Sequence, residues 1–122
     1  MGESLESITG GLGVSDRWLQ QRPDQIKRMI AGVFKGMAHA RAHRQDSIAL
    51  VMSKWKLERD IAEKAVELTI KTWSENGIAS DQAVLVGIEE SLKVSSSRQS
   101  VPLSRVVDFG LAREAYRELK EK

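Results

Sequence analysis

The stretch that decides the fold is PDQIKRMIAGVFKGMAHARAH, residues 23–43. Its apolar residues recur at intervals of three and four, which places them along one side of an α-helix. They are Ile26, Met29, Ile30, Val33, Phe34, Met37 and Ala40. Pro23 suits the first position of such a helix because its missing N–H would have no partner there. We therefore predict a helix from Pro23 to about His43 that commits one face to a core.

Two glycines lie inside this helix, four residues apart. Each of Gly32 and Gly36 costs a helix interior about 1 kcal/mol relative to alanine. A cost of this size favours a packing reason for both glycines. We therefore expect another element to approach the helix closely at these positions.

The chain before this helix predicts a short helix preceded by irregular structure. Ser15 is a candidate N-cap for a helix over residues 16–21. Residues 8–14, ITGGLGV, mix strand formers with three glycines. Because glycine weakens an isolated strand, we expect either a short strand or an extended arm over 8–14.

The chain after residue 43 repeats the helical spacing between polar turns. Helices are predicted over about 46–54, 58–73 and 81–93, and over a terminal segment opened by Pro102. On the first two, the residues expected to face inward are Ile48, Leu50, Val51, Trp55, Ile61, Ala62, Ala65, Val66, Leu68 and Trp73. Tryptophans 18, 55 and 73 are interpreted as anchors of a core or an interface.

Turn and cap residues set the expected ends of these helices. Ser80 and Asp108 are candidate N-caps for the last two helices. Asn76 and Gly77 are expected to end the helix over 58–73 in a left-handed conformation.

Together these elements predict one mainly α domain over residues 1–122. It has five or six amphipathic helices and at most one short N-terminal strand, with helices over 15–93, a linker over 94–101 and a C-terminal segment and helix over 102–122. The 122 residues, 41% hydrophobic and 30% charged, have the composition of a folded globular chain. No cysteine is present, which excludes thiol catalysis, disulfides and cysteine zinc sites.

No arrangement of residues indicates catalysis or metal binding. Glu89 and Glu90 are adjacent and point in different directions on a helix, so they cannot share a proton as a catalytic pair does. His39 and His43 have the i,i+4 spacing of a metal-binding pair, but a third ligand is lacking and Arg41 would repel a cation. We expect no enzyme activity, no catalytic residue, no cofactor and no metal site.

Charge is unevenly distributed along the chain. Residues 16–44 hold seven bases and two acids, whereas residues 58–90 hold three bases and eight acids. Helices that attract each other within one fold explain this asymmetry, and so does a basic face for an anionic partner. A helix over 23–44 offers Arg28, Lys35 and Arg41 to phosphates, but no aromatic residue is interleaved for base stacking. Nucleic acid is therefore the less favoured partner.

The order of the segments carries more information than any single residue. It resembles the C-terminal portion of ABC-transporter substrate-binding proteins of the nitrate, taurine, aliphatic-sulfonate and thiamine-precursor class, over about residues 8–119. The matching residues are Arg22, Pro23, Asp24, Lys27, Arg28, Lys35, Gly36, Asn76, Gly77, Ser80, Val101, Pro102, Val106, Val107, Asp108, Phe109, Ala115 and Leu119.

This resemblance implies the C-terminal part of a type II periplasmic-binding-protein fold, in a receptor that delivers a small nutrient to an ABC permease. It implies a periplasmic or extracytoplasmic location, although MGESLESITGGLG, residues 1–13, has no export signal and the chain as written would stay cytoplasmic. The resemblance implies that the N-terminal half, which supplies most cleft residues in the family, is missing. The ligand-binding residues are therefore unknown, and we expect this fragment or truncated form to bind no ligand alone.

The helices of that family lie on a sheet, of which at most one strand is expected here. Apolar stripes that lose their sheet must pack on each other or on another chain. We therefore expect a homo-oligomer, with the N-terminal strand or a helix exchanged between protomers. The alternative function is a stand-alone helical oligomeric interaction module that contacts nucleic acid through the basic helix 23–44.

Overall fold

The computed structural model describes residues 10–96 and 99–121, and within these ranges the chain forms seven helices and no β-strand. They are α1 (Asp16–Gln21), α2 (Pro23–Ala42), α3 (Arg44–Trp55), α4 (Arg59–Thr72), α5 (Asp81–Val94), α6 (Leu103–Val106) and α7 (Gly110–Lys120). The predicted mainly α fold class is confirmed. The described residues form one helix more than the upper expectation of six, because the segment after Pro102 divides into α6 and α7.

The stretch expected to form a strand or an arm does not form a strand where it is described. Residues 8 and 9 lie outside the described residues. Residues 10–14 have no regular structure, and Leu12 is exposed among them. A Cβ atom at Gly10, Gly11 or Gly13 would meet no atom within 4 Å beyond its chain neighbours, so no other element packs closely on these glycines to support a strand.

Local capping signals place most helix ends where the sequence predicts them. Ser15 Oγ accepts a hydrogen bond from the Trp18 N–H at 3.1 Å, and Ser80 Oγ accepts one from the Ala83 N–H at 3.1 Å. Pro23 occupies the first turn of α2. Each of these signals depends on only a few adjacent residues.

Two predicted helix ends are wrong. The helix α4 stops at Thr72 and its C-cap, Trp73, is extended. Gly77 does adopt a left-handed φ of 71°, but it lies in the following loop. Asn76 is also used there, since its Oδ1 accepts the Ile78 N–H at 3.1 Å.

Asp108 was the second misassigned cap. The N-cap of α7 is Phe109, and Asp108 instead accepts the Gly110 N–H through Oδ1 at 2.9 Å. Asp108 therefore lies one residue before the N-cap, and its side chain still hydrogen-bonds to the first residue of α7.

The buried apolar residues form two separate clusters. The α3–α4 cluster contains Ile48, Ala62, Val66 and Ile70, and half-buried Trp73 packs against it. The α2–α7 cluster contains Phe34, Ala112 and Ala115, with Tyr116 and Leu119 packed against it. Helix α2 joins the two halves, because it runs along α7 and also contacts α1, α3 and α4.

The loop after α4 closes the α2–α7 cluster. A Cβ atom on Gly77 would lie 2.8 Å from Phe34 Cζ, so the glycine backbone rests directly on the phenyl ring. Tyr116 meets the same ring edge-on, with ring centres 6.1 Å apart, and its hydroxyl donates to Glu75 Oε1 at 3.4 Å. These contacts tie the loop, α2 and α7 together.

Helix α5 is the least integrated of the long helices. Among the described helices, α6 is the only one whose Cα atoms come within 8 Å of those of α5. No α5 residue belongs to either hydrophobic cluster. One side of α5 is nevertheless buried, at Ala83 and Val84.

Candidate interaction surface

Large apolar side chains remain bare on several helices. Leu50 is 63% exposed, Trp55 62% and Leu68 64%, and Ile61 is also more than half exposed. All four were predicted to face inward, and that prediction is wrong. Apolar spacing identifies a side chain suited to burial, but the chain must also supply an element to cover it.

Helix α4 shows why one stripe is buried and another is not. Ala62, Val66 and Ile70 form the buried stripe that faces α3. At 100° per residue, Ile61 and Leu68 lie more than 100° around the helix from Val66. A helix that is apolar on two sides requires two partners, and α3 covers only one side.

The total exposed surface agrees with this incomplete coverage. The chain exposes 9767 Å², whereas a folded monomer of 13.6 kDa exposes about 6,600 Å². The exposed side chains of Leu50, Trp55, Ile61 and Leu68 contribute to this larger area.

The outer side of α5 is one of these uncovered surfaces. Leu85 is 43% exposed, and Ile88 and Leu92 are half-buried on the same side of the helix. Asp81 and Glu89 flank Leu85 at four residues on either side, and both are exposed. The surface is thus apolar at its centre and acidic at its ends.

The groove between α2 and α7 has the opposite charge. It encloses about 260 Å³ and is lined on α2 by Lys27, Arg28, Ala31, Gly32 and Lys35. Its α7 side is formed by Ala115, Glu118 and Leu119. The groove is shallow and open, so it fits a side chain of a docked protein better than an enclosed small molecule.

The glycines of α2 have no close neighbour. A Cβ atom at Gly32 or Gly36 would meet nothing within 4 Å, and both residues are exposed. The expected close packing at these positions is therefore wrong. The outer side of α2 is open along both glycines.

The bases of α2 and the residues after it are only partly available to an anionic partner. Lys27 Nζ donates to Glu118 Oε1 at 2.9 Å and lies 3.8 Å from Glu114 Oε2. The hydrogen bond to Glu118 raises the pKa of Lys27 above its usual value, and the charges of both glutamates add to the effect. These contacts hold α2 against α7.

The remaining bases divide into engaged and unengaged groups. The Arg41 guanidinium lies 5.7 Å from the centre of the Trp73 ring, and Arg44 Nη1 lies 3.8 Å from Glu67 Oε1. Arg28 and Lys35 are exposed and make no ion pair with any described residue. Three bases, Arg28, Lys35 and Arg41, were predicted to contact phosphates. Of these, only Arg28 and Lys35 are exposed together on the outer side of α2.

The histidine pair forms a stack at the end of α2. The rings of His39 and His43 have centres 4.2 Å apart and planes 17° apart. His43 Nδ1 lies 3.1 Å from the His39 carbonyl oxygen. Within residues 10–96 and 99–121, no group of three or more histidine, aspartate or glutamate side chains is placed to hold a metal ion.

The three tryptophans occupy different environments. Trp73 is half-buried against the α3–α4 cluster, which agrees with its interpretation as a core anchor. Trp18 and Trp55 are exposed. Both exposed tryptophans are available to an interface, the other role that the sequence predicts for them.

None of the described helices combines enough length with enough apolar character to cross a bilayer. A scan against protein-family models, a search of curated proteins and a search of solved structures each find no match to this chain.

Proposed function

We propose that this chain is the C-terminal portion of a solute-binding receptor for ABC-type import. The proposed receptor recognises a small nutrient such as a sulfonate, taurine, nitrate or a thiamine precursor. The proposal rests on the collinear sequence resemblance described above, and on the location that this resemblance implies, the periplasm. In this proposal the chain is not an enzyme, and its partner in the full-length receptor is a membrane permease.

The observation that carries the proposal is the set of bare apolar side chains on α3, α4 and α5. A chain that folds alone covers such stripes with its own elements. Here Ile61 and Leu68 on α4, and Leu85 on α5, have no such cover. A larger α/β protein that places a sheet against these helices would bury them.

In isolation the same side chains favour self-association. Exposed apolar surface on this scale is typical of a protein interface. We therefore propose that the separate chain forms a homo-oligomer, and that the receptor covers these surfaces within one molecule.

The receptor proposal is tested by the genomic reading frame upstream of Met1. The expected upstream sequence encodes an export signal and two α/β lobes. A polypeptide that joins this upstream sequence to residues 1–122 should show a rise in Tm with one of the four ligand classes. The chain alone is the matched control and should show no rise.

Two results would contradict the receptor proposal. One is an upstream promoter with no sequence that encodes the α/β lobes between it and Met1. The other is a joined polypeptide that folds, by circular dichroism, and binds none of the ligand classes in a thermal-shift series. Neither result bears on whether the isolated chain self-associates, which is measured separately.

A further inference from the structure

We propose that a second copy of this chain docks its α5 into the groove between α2 and α7, in a reciprocal two-fold pair. This inference rests on the proposed self-association of the isolated chain. The basic groove is defined by Arg28, Gly32 and Lys35 on α2 with Leu119 on α7. The acidic ridge is defined by Asp81, Leu85 and Glu89 on α5.

The basic groove places two cations at a fixed separation. Arg28 and Lys35 are seven residues apart, which is about 10.5 Å along the helix and two turns on the same side. Between them Gly32 presents no side chain, and a Cβ atom there would meet nothing within 4 Å. The neighbouring Glu118 accepts a hydrogen bond from Lys27 at 2.9 Å. Neither Arg28 nor Lys35 makes an ion pair with a described residue.

The acidic ridge has a matching arrangement. Asp81, Leu85 and Glu89 follow one another at intervals of four residues, which keeps all three within an arc of about 80°. Asp81 and Glu89 are about 12 Å apart along the axis. Neither makes an ion pair with a described residue. Lys93 is paired with the adjacent Glu90 at 2.7 Å, and the charge of Glu89 adds to the effect of Glu90 in raising the pKa of Lys93.

The two surfaces fit in charge, spacing and shape. Leu85 would occupy the space above Gly32, with each acid opposite one cation. The axial spacing is about 10.5 Å between the two cations and about 12 Å between the two acids. Arginine and lysine carry their charges at the end of several rotatable bonds, so their side chains can accommodate this difference. Apolar contact at the centre with charge pairs at the rim is the usual anatomy of a protein interface.

A single chain does not satisfy these surfaces by itself. Within the described helices, no Cα atom of α5 lies within 8 Å of a Cα atom of α2 or α7. Each copy carries one groove and one ridge, so a pair related by a two-fold axis satisfies all four surfaces. The opposite charges of residues 16–44 and 58–90 then act between copies.

The test reverses the charges one surface at a time. The groove variant is Arg28→Glu with Lys35→Glu, and the ridge variant is Asp81→Lys with Glu89→Lys. Light scattering after size exclusion should give the wild-type chain twice its 13.6 kDa monomer mass. Each variant alone should be monomeric, with a dimer dissociation constant at least tenfold higher, which is a loss of about 1.4 kcal/mol or more in the free energy of association.

The decisive sample is an equimolar mixture of the two variants. The groove variant has two acidic surfaces and the ridge variant two basic ones, so reciprocal pairing should restore the dimer mass. Glu90→Lys is the matched control, since Glu90 points about 100° away from Glu89, and it should leave the wild-type dimer intact. Circular dichroism confirms that each variant is folded.

Four results would overturn the docking. A monomeric wild-type chain removes the self-association on which it rests. A wild-type dimer that both reversals leave unchanged assigns the interface to another surface, while self-association stands. Folded monomeric variants that fail to pair in the mixture show that the charges do not meet across the interface. A band shift with short duplex DNA that the groove variant abolishes, with a monomeric wild-type chain, would assign Arg28 and Lys35 to nucleic acid.

Discussion

Replacing Gly36 with alanine should make the protein more stable. The glycine lies inside the 20-residue helix α2, where glycine costs about 1 kcal/mol relative to alanine. The new Cβ atom would meet no atom within 4 Å, so no steric cost offsets the gain in helix propensity. Gly36 also lies outside the basic groove, so the change should not affect docking.

The expected gain is about 0.5–1 kcal/mol in the free energy of unfolding. For a chain of this length that corresponds to a rise of roughly 2–4 °C in Tm. Urea unfolding followed by circular dichroism at several protein concentrations gives the free energy and separates folding from association.

Gly77→Ala is the matched control, because the same chemical change should have the opposite sign there. Gly77 has a φ of 71°, which costs an L-residue about 1–2 kcal/mol. Its Cβ atom would also lie 2.8 Å from Phe34 Cζ, a contact that forces the ring or the loop to move. We expect a loss of about 2 kcal/mol or more.

The reasoning is refuted if Gly36→Ala destabilises the chain at every protein concentration. That result would mean that another part of the same chain packs on the outer side of α2. It would also restore the close packing that the glycine pattern predicts from sequence.

Three further changes test the packing and the ion pair. Phe34→Ala should cost about 3–4 kcal/mol in urea unfolding, because the ring joins α2, α7 and the loop at Gly77, and a loss under 1 kcal/mol would show that the cluster is loose. Leu68→Lys should change stability by less than about 0.5 kcal/mol because Leu68 is exposed, whereas Val66→Lys should unfold the chain because Val66 is buried. Equal effects of the two changes would contradict the assigned faces of α4. Lys27→Met should lower Tm at pH 8. The pKa of Lys27 is raised in the folded state, so its contribution to stability is fully present below the unfolded-state pKa of about 10.4. This contribution is lost as pH rises through the folded-state pKa. Above that pH the Tm difference between Lys27→Met and the wild type should vanish. A Tm difference that is the same at pH 8 and above the folded pKa would assign the effect to packing.

The sequence could predict those parts of the fold that depend on adjacent residues. Ser15 and Ser80 cap the helices predicted for them, and Pro23 begins α2 as expected. Each signal is satisfied by groups within three residues along the chain. The mainly α fold class follows from the same local periodicity.

The failures concern contacts between elements. Leu50, Trp55 and Leu68 have the apolar spacing of core residues, but the covering element is absent from the described chain. Gly77 was predicted to end a helix, but it lies in a loop where Phe34 of α2 packs against it. Periodicity identifies an apolar side and leaves its partner undetermined.

The proposed interaction surface was only partly visible in the sequence. The opposite charges of the two halves were evident from residue counts, and Arg28 and Lys35 were among the bases considered for an anionic partner. Their match to Asp81 and Glu89 could be recognised only from the structure, in which Lys27 is paired with Glu118 and Glu90 is paired with Lys93. Ion pairs between distant residues are set by tertiary structure.

The weak attachment of α5 has a consequence for the cooperativity of unfolding. Since α5 approaches α6 alone among the described helices, and since neither hydrophobic cluster includes an α5 residue, α5 can open while α2, α3, α4 and α7 stay packed. Such local opening needs less free energy than global unfolding. Backbone amides of α5 should therefore exchange with deuterium earlier than those of α4 in the dissociated chain, and docking into a second copy should slow them.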